Sequence, residues 1–258
     1  MRKLNIYRYA ILAFSSILLL SACSDNEPSL DPPEIPDLSE VRPSFDYFNS
    51  TSKVKEVMGE NYQLASSLAQ SMEALMTTFS SLPESFLNLA NQEDPDFDNG
   101  VWIWEKTQSS QGESFTIRLE AEQTNTRVNW AMYISADTQE QNFDNLKLFD
   151  GFVLNDSNEG EWSIYAFEEG NNSQAVMTYD WNIEGPDVAS FNFTFDSNNA
   201  SSLSYMKNSP DNTITVNGDT DTTVIYWNSS TDTGYYDTTG QDRVCWDSSS
   251  NNTPCTGA

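Results

Sequence analysis

The sequence contains no histidine, and only three of its 258 residues are cysteines. Without an imidazole, the chain can form neither a Ser-His-Asp nor a Cys-His catalytic group. Zinc and copper sites that depend on histidine are excluded for the same reason. The chain also lacks a GxxxxGK phosphate-binding loop and a GxGxxG dinucleotide-binding motif. An enzyme built from this sequence would therefore have to rely on carboxylates.

Basic residues are scarce as well. The chain has 12 lysines and arginines against 39 acidic residues, which gives a formal net charge of -27. A polyanion of this size repels nucleic acid and anionic lipid headgroups, so we predict neither as a direct ligand. The hydrophobic content of 38% is nevertheless enough to bury a core, and the length suits one large domain or two small ones.

The N-terminus has the pattern of an export signal. Arg2, Lys3 and Arg8 precede an apolar stretch at 10–20, and small residues follow it. This stretch is shorter than the roughly 20 residues that a membrane-spanning helix needs. The sequence LSAC at its end resembles the lipobox of bacterial lipoproteins, in which the leader is removed and the cysteine carries the lipid. The resemblance implies that Cys23 becomes the lipid-bearing first residue, with fatty acyl groups such as palmitate attached.

The residues after the cysteine bear on the compartment. Ser24 stands where an aspartate would retain a lipoprotein at the inner membrane, so the resemblance implies an outer-membrane location. Residues 24–27 also resemble the short acidic tags that send some lipoproteins to the cell surface, although any solvated linker of this chain would be acidic. We predict a lipid anchor in the outer membrane, facing either the cell surface or the periplasm. The resemblance covers the leader only and assigns the folded part to no family.

The chain divides into four segments by composition and periodicity. The signal peptide occupies 1–22, and 23–48 comprise the lipidated cysteine and a tether rich in proline and acids. In segment 49–98 the apolar residues recur with the period of a helix. In segment 99–258 apolar and polar residues alternate, as in strands, and short turns separate the alternating stretches. Short turns favour an antiparallel meander. We therefore predict an α+β, mainly β, fold in which N-terminal amphipathic helices pack on a large curved, partly closed barrel-like antiparallel sheet.

The helical segment is predicted in two parts, and the sheet is predicted to have about ten strands. The first helix starts near Ser52, and a capping box at 81–84 predicts that a short second helix begins there. The last four predicted strands are SLSYM, TITV, TVIYW and DRVCW. The buried stripe predicted for the first helix consists of Val54, Val57, Leu64, Leu68, Met72, Leu75, Phe79 and Leu82.

The two remaining cysteines are predicted to pair. If Cys23 carries lipid, Cys245 and Cys255 form an even pair in an oxidising compartment. The intervening CWDSSSNNTPC is a short loop, and closing it would stabilise the C-terminal end by on the order of 3 kcal/mol in the chain-entropy model. A redox or metal pair is the alternative, but the CxxC spacing and a nearby ligand set are missing from the sequence.

One acidic segment resembles a calcium-binding loop. In DPDFDNGVWIWE, Asp94, Asp96 and Asp98 take positions one, three and five of an EF-hand ladder. Glu105 takes position twelve. Asn99 stands where such a loop has glycine, and the VWIW that follows is typical of a strand and not of an exiting helix. Calcium is therefore the one cofactor left open, with a solvated acidic turn as the alternative.

Two classes of function remain. The first is a non-enzymatic, lipid-anchored module whose curved, aromatic-lined sheet binds an apolar ligand, a glycan or an envelope protein. The second is a structural envelope component in which helices and sheet simply fill each other. Seven tryptophans and many carboxylates leave a glycan hydrolase as a further alternative, although no carboxylate pair stands out. We predict the binding module, attached to the membrane through its lipid, without catalytic residues.

Overall fold

The computed structural model describes residues 31–34, 43, 45–49, 58–87, 94–139, 142–155, 158–168, 172–195 and 201–255. The leader and the predicted lipidation site at Cys23 lie outside the described residues. The chain divides into two compact units, Met1–Pro32 and Pro33–Ala258, and all the described helices and strands belong to the second. In the described part of the chain, no helix combines the length and apolarity that crossing a membrane requires.

A single antiparallel sheet of 14 strands dominates the second unit and confirms the predicted mainly β meander. Each strand pairs with its neighbours in the chain, so the sheet order is the chain order. The sheet is not closed, because β1 and β14 are its two edges. The strands are β1 Asp96–Asp98, β2 Val101–Ser110, β3 Glu113–Gln123, β4 Arg127–Asp137, β5 Asn142–Leu154, β6 Asn158–Glu168, β7 Asn172–Ile183, β8 Val188–Phe195, β9 Ser201–Asn208, β10 Asp211–Asn217, β11 Thr222–Asn228, β12 Thr233–Thr238, β13 Val244–Trp246 and β14 Asn252–Thr253.

Among the described residues, two helices precede the sheet: α1, Asp46–Asn49, and α2, Glu60–Leu87. The prediction that a second helix begins at 81–84 is wrong, because α2 continues through this segment. The Ser81 hydroxyl donates a hydrogen bond to the Thr78 carbonyl at 2.8 Å, one turn back in the same helix. A bond from a hydroxyl back to the preceding turn is typical of a serine inside a helix and not at its start.

The start of α2 is fixed by the C-terminal loop. The Gly59 N–H donates to the Ser250 carbonyl at 2.9 Å, and the Asn61 N–H donates to Asn252 Oδ1 at 3.0 Å. Asn61 Nδ2 donates in turn to the Cys245 carbonyl at 2.9 Å. The first N–H groups of a helix lack partners within it, so an acceptor from elsewhere in the chain acts as a cap. The helix thus begins where Asn252 can reach it, and the predicted start near Ser52 lies outside the described residues.

The predicted disulfide between Cys245 and Cys255 is confirmed, with the two Cα atoms 5.3 Å apart. The loop that it closes is ordered by one carboxylate. Asp247 Oδ1 accepts hydrogen bonds from the N–H groups of Ser249 at 2.9 Å and Asn251 at 3.0 Å. The disulfide loop is therefore a compact unit that joins the end of the sheet to the start of α2.

The core lies on one face of the sheet. All seven tryptophans are buried there or at its ends, and Trp102, the most accessible of them, is only 8% exposed. Alternate residues of β2 to β13 join Ala65, Ala69 and Met76 of α2 in one buried cluster. The tryptophans therefore form a packed core and not the open aromatic-lined surface that the sequence predicted.

The buried stripe of α2 differs from the predicted one. Leu64 and Leu75, both placed in the predicted stripe, are 46% and 44% exposed. Among the described side chains of α2, the fully buried ones are Tyr62, Ala65, Ala69 and Met76, and Leu68 and Met72 are partly buried. Of the predicted stripe, Val54, Val57 and the side chains of Phe79 and Leu82 lie outside the described residues. Small alanine side chains let the helix lie close to the tryptophan-rich sheet. The predicted stripe was drawn through the large apolar residues, so it did not include these alanines.

The end of the predicted tether belongs to the core. Phe45 and Phe48 are 1% and 6% exposed. The Phe45 ring centroid lies 4.8 Å from that of Tyr205, and the Phe48 centroid lies 5.0 Å from that of Trp227. Two aromatic residues in an otherwise acidic, proline-rich segment are enough to attach it to the sheet. The folded body thus begins before residue 49.

The aromatic contacts between this segment and the sheet predict a loss of stability in alkali. Burial raises the pKa of Tyr62 from 10.0 to about 12, and burial also raises the pKa values of Tyr47 and Tyr205. Between about pH 10 and pH 12, these phenols keep their protons in the native state and lose them in the unfolded state. The native state then binds more protons, so the free energy of unfolding should fall as the pH rises through this window.

Urea denaturation at a series of pH values measures this effect. A Tyr62→Phe variant should show a shallower decline, because one of the linked groups is gone. A free energy of unfolding that stays level between about pH 10 and pH 12 would show that these phenols ionise alike in both states.

Candidate functional site

The outer face of the sheet, opposite the buried tryptophans, carries an aromatic pair on β11 and β12. Ile225 and Trp227 are buried, so Tyr226 between them points to the other face. Tyr226 lies opposite Tyr235 in the strand register. Their rings stack with centroids 5.1 Å apart and planes at 22°. Both side chains are half-buried, which leaves part of each ring open to solvent.

A cavity of about 430 Å³ lies beside this pair. Cys245 is opposite Tyr235 in the register, so the disulfide continues the row of outer-face side chains. We call this cavity the tyrosine cleft; its walls include Tyr226, Tyr235, Arg243, Thr253, Pro254 and the two disulfide cysteines. Its volume falls within the range of about 300 to 1,000 Å³ that is usual for small-molecule sites.

The one arginine of the tyrosine cleft is held in place and neutralised. The guanidinium carbon of Arg243 lies 4.2 Å from the centroid of the Tyr235 ring. Arg243 Nε donates to Asp237 Oδ2 at 2.9 Å, and a terminal nitrogen lies 2.8 Å from the same oxygen. Arg243 therefore covers part of the Tyr235 ring, and its charge is already balanced by Asp237. The cleft gives an anionic ligand little attraction.

A carboxylate outside the cleft is bonded to the hydroxyl of Tyr226. The Tyr226 hydroxyl donates a hydrogen bond to Asp211 Oδ1, and Asn228 Nδ2 donates to the same oxygen at 2.8 Å. Both bonds lower the pKa of Asp211, the Tyr226 bond most, so this exposed side chain stays ionised. The other carboxylate oxygen, Asp211 Oδ2, accepts no hydrogen bond from the described residues. A fixed aromatic ring thus lies next to an oxygen that can accept a bond from a ligand hydroxyl.

A second outer-face cavity, of about 380 Å³, lies over β3 to β5. Glu120, Glu122 and Asp150 line it, and Phe152 forms an aromatic wall. Ala131 lies between Glu120 and Asp150 in the register, and its small side chain leaves the depression between them. We call this cavity the acidic cleft.

The carboxylates that face each other across the acidic cleft are engaged in ion pairs. Glu120 lies 2.6 Å from Arg118, and Asp150 lies 2.6 Å from Lys147. Asp150 also accepts a hydrogen bond from the Tyr165 hydroxyl at 3.0 Å. A glycosidase needs one carboxylic acid free to protonate the leaving group, so this arrangement gives the hydrolase alternative no support.

The four predicted calcium ligands lie on a β-hairpin. Asp96 and Asp98 belong to β1, Asp94 lies two residues before Asp96, and Glu105 lies in β2. Asp96 and Asp98 lie in the extended backbone of β1, whereas an EF-hand loop turns sharply so that alternate side chains meet at one ion. In the ranges that the structure describes, no group of three or more His, Cys, Asp or Glu residues could hold a metal ion. Calcium therefore enters no proposal.

The turn of this hairpin explains the misplaced glycine of the calcium motif. Asn99 and Gly100 have φ values of 50° and 89°, which are the left-handed values of a two-residue hairpin turn. Asn-Gly is the preferred sequence for such a turn. The hairpin turn therefore explains why Gly100 follows Asn99, without reference to the glycine position of a calcium loop.

Sequence reasoning placed the disulfide correctly but missed the tyrosine cleft. The signal for Tyr226 was present, because it alternates with Ile225 and Trp227 in TVIYW and so belongs to the outer face. Tyr235 lies in TGYYDT, a strand that was not predicted because its glycine and aspartate are typical of turns. Arg243 is brought to the cleft only by the pairing of β12 with β13.

Comparison with known proteins does not extend these observations. No protein-family model matches the chain, and neither a curated protein nor a solved structure matches it at a significant level. A function for this chain is therefore argued from its own sequence and geometry.

Proposed function

We propose that this chain is a lipid-anchored lipoprotein of the outer membrane that binds neutral glycans in the tyrosine cleft and catalyses no reaction. The lipobox motif ending at Cys23 supports the anchor. The stacked Tyr226 and Tyr235 rings on the outer face are the single observation that carries the binding function. Binding at the outer face leaves the core untouched, so the sheet acts as a rigid support.

We infer that the sheet is curved around the helices. A flat sheet of 14 strands would be about 62 Å wide, whereas α2, with 28 residues, is only about 42 Å long. The inward side chains of β2 to β13 nevertheless share one buried cluster with α2. Register shifts in the β4–β5 and β6–β7 pairs mark bulges, which increase twist and bend a sheet. The tyrosine cleft then lies on the convex side, which is open to a large ligand.

The chemistry of the tyrosine cleft favours a neutral sugar. Exposed aromatic faces pack against the apolar faces of pyranose rings, while the polar edges of such rings need hydrogen-bond partners. Asp211 Oδ2 supplies an acceptor beside Tyr226, and Thr253 supplies a hydroxyl on the opposite wall. The net charge of -27 disfavours acidic glycans, and Arg243 is already paired with Asp237. A neutral polysaccharide meets all these conditions.

Affinity electrophoresis of the full chain through gels containing mixed-linkage β-glucan, galactomannan or xyloglucan tests this function. At least one polysaccharide should retard the chain. Tyr226→Ala and Tyr235→Ala should each weaken binding by about two- to tenfold, since an aromatic contact of this kind is worth about 0.5–1.5 kcal/mol. Binding constants follow from the retardation at several polysaccharide concentrations.

Tyr165→Ala is the matched control, because Tyr165 is also on the outer face but contacts Asp150 near the acidic cleft. It should bind as well as the parent. The proposal fails if no neutral polysaccharide retards the chain, or if both cleft variants, folded by circular dichroism, bind like the parent. A chain that binds none of them would fit the structural envelope component instead.

A further inference from the structure

The two tyrosines of the tyrosine cleft belong to a longer row of outer-face side chains. Thr213 of β10 lies opposite Tyr226 in the strand register, and Met206 of β9 lies opposite Thr213. Neighbouring strands of a sheet are about 4.8 Å apart, so the row from Tyr235 on β12 to Met206 is about 14 Å long. We call Tyr235, Tyr226, Thr213 and Met206 the cross-strand row, because it crosses the strands and does not run along them.

Met206, at the far end of the row, is an exposed apolar side chain. Tyr205 before it is 4% exposed and belongs to the core, so Met206 points to the outer face. Among the described residues, no large hydrophobic side chain is more exposed than Met206, at 61%. Single exposed apolar side chains are common, but one in line with two partly exposed aromatic rings extends an apolar surface. The row therefore continues the wall of the cleft across the sheet.

Polar side chains border the cross-strand row on both sides. On one side, Asn228 Nδ2 donates to Asp211 Oδ1 at 2.8 Å, and these two residues face each other in the register. On the other side, Arg243 Nε donates to Asp237 Oδ2 at 2.9 Å. Asn228 and Asp237 each lie two residues along their strand from a tyrosine of the row. A ligand that ran along the strands would meet these bonded pairs, whereas one that crosses the strands meets apolar side chains with polar groups at its edges.

We infer that the ligand is a linear neutral glycan of several sugars, bound across β9 to β12 with Met206 as its far contact. The inference rests on the proposed glycan-binding function and adds the length and direction of the ligand. A pyranose ring is about as wide as a tyrosine ring, so a single sugar covers part of the row and only a chain reaches both ends. Sugar faces then lie on Tyr235, Tyr226 and Met206, while the hydroxyls at the ring edges meet the polar side chains on either side.

Isothermal titration calorimetry of the full chain with oligosaccharides of graded length tests this inference. The probes are linear cello-oligosaccharides and manno-oligosaccharides, from disaccharide to hexasaccharide. Affinity for one series should rise with chain length and level off once the glycan reaches Met206. Met206→Ser should weaken hexasaccharide binding by about fivefold, the effect of losing about 40 Å² of apolar contact, and leave disaccharide binding unchanged. In affinity electrophoresis, the polysaccharide that binds should likewise retard this variant less than the parent.

Val176→Ser is the matched control, because Val176 on β7 is also exposed, at 37%, but lies outside the row. It should bind like the parent. Two results overturn the inference and leave glycan binding intact. They are equal affinity for the disaccharide and the hexasaccharide, and a Met206→Ser chain that binds glycan like the parent although Tyr226→Ala does not. If no glycan binds at all, the proposed function fails and the inference fails with it.

Discussion

Replacing Gly151 by alanine is expected to lower the free energy of unfolding by about 3 kcal/mol, at the upper end of the usual cost of overpacking a core. A Cβ at this position would lie 2.0 Å from the Glu161 carbonyl oxygen and 2.5 Å from Cε3 of Trp162. The carbonyl belongs to the backbone of the adjacent strand, so it cannot turn aside. The two strands would have to separate, and the indole would leave its place over the glycine.

The same arrangement recurs along the sheet, which is why one substitution has a large effect. Trp162, Trp181 and Trp246 each lie opposite a glycine of the preceding strand and cover it. A large ring fills the space that the missing side chain leaves, an arrangement that compensates for the weakness of glycine in strands. A methyl group on the glycine removes that space.

Urea denaturation followed by tryptophan fluorescence measures the loss. Gly218→Ala is the matched control, because an added Cβ there meets nothing closer than the Asp221 carbonyl oxygen at 3.5 Å. It should change stability by less than about 0.5 kcal/mol, as most surface substitutions do. Equal stability of the Gly151→Ala and Gly218→Ala proteins would show that the indole does not press on the glycine.

A Cys23→Ala substitution is expected to abolish lipid labelling of the chain completely. The chain has three cysteines, and Cys245 and Cys255 are joined in a disulfide, so Cys23 is the one thiol left for acylation. The effect should be all or none because an alanine offers no nucleophilic sulfur. Labelling of a bacterium that expresses the chain with an alkynyl palmitate, followed by coupling to a dye, measures it.

The double variant Cys245→Ala, Cys255→Ala is the control for this experiment. It should lose the disulfide at the end of the sheet and therefore have a lower free energy of unfolding. It should keep the full lipid label. Label that persists on the Cys23→Ala chain would place the lipid elsewhere, and the proposed anchor would be withdrawn.

Much of the fold could be predicted because its order is local. Strands that pair with their chain neighbours need only alternating residues and turns, and both are visible in the sequence. β12, at Thr233–Thr238, was not predicted because Gly234 and Asp237 weaken its alternation of apolar and polar residues. Its register is nevertheless fixed by the strands on either side. The face of α2 was misplaced because periodicity counts large residues, whereas contact with the sheet selects Ala65 and Ala69.

The candidate site was less accessible from the sequence because it depends on contacts between strands. The pairing of Tyr226 with Tyr235 follows from the β11–β12 register, which no short motif encodes. The tryptophans lie in alternating strand segments, and they are buried in the core with the other large inward residues of the sheet, such as Phe149, Tyr179 and Phe193. The acidic motif has two interpretations for a related reason, since Asn99 and Gly100 satisfy a hairpin turn as well as they resemble part of a calcium loop.

The central claim is that the folded body is held at a membrane by lipid on a single cysteine. Intact-mass spectrometry of the chain purified from membranes of an expressing bacterium tests it most directly. We predict a mass that corresponds to residues 23–258 plus fatty acyl groups, with all the added mass on the N-terminal peptide. A chain that begins at Met1, or one that begins at Cys23 without added mass, would contradict the account.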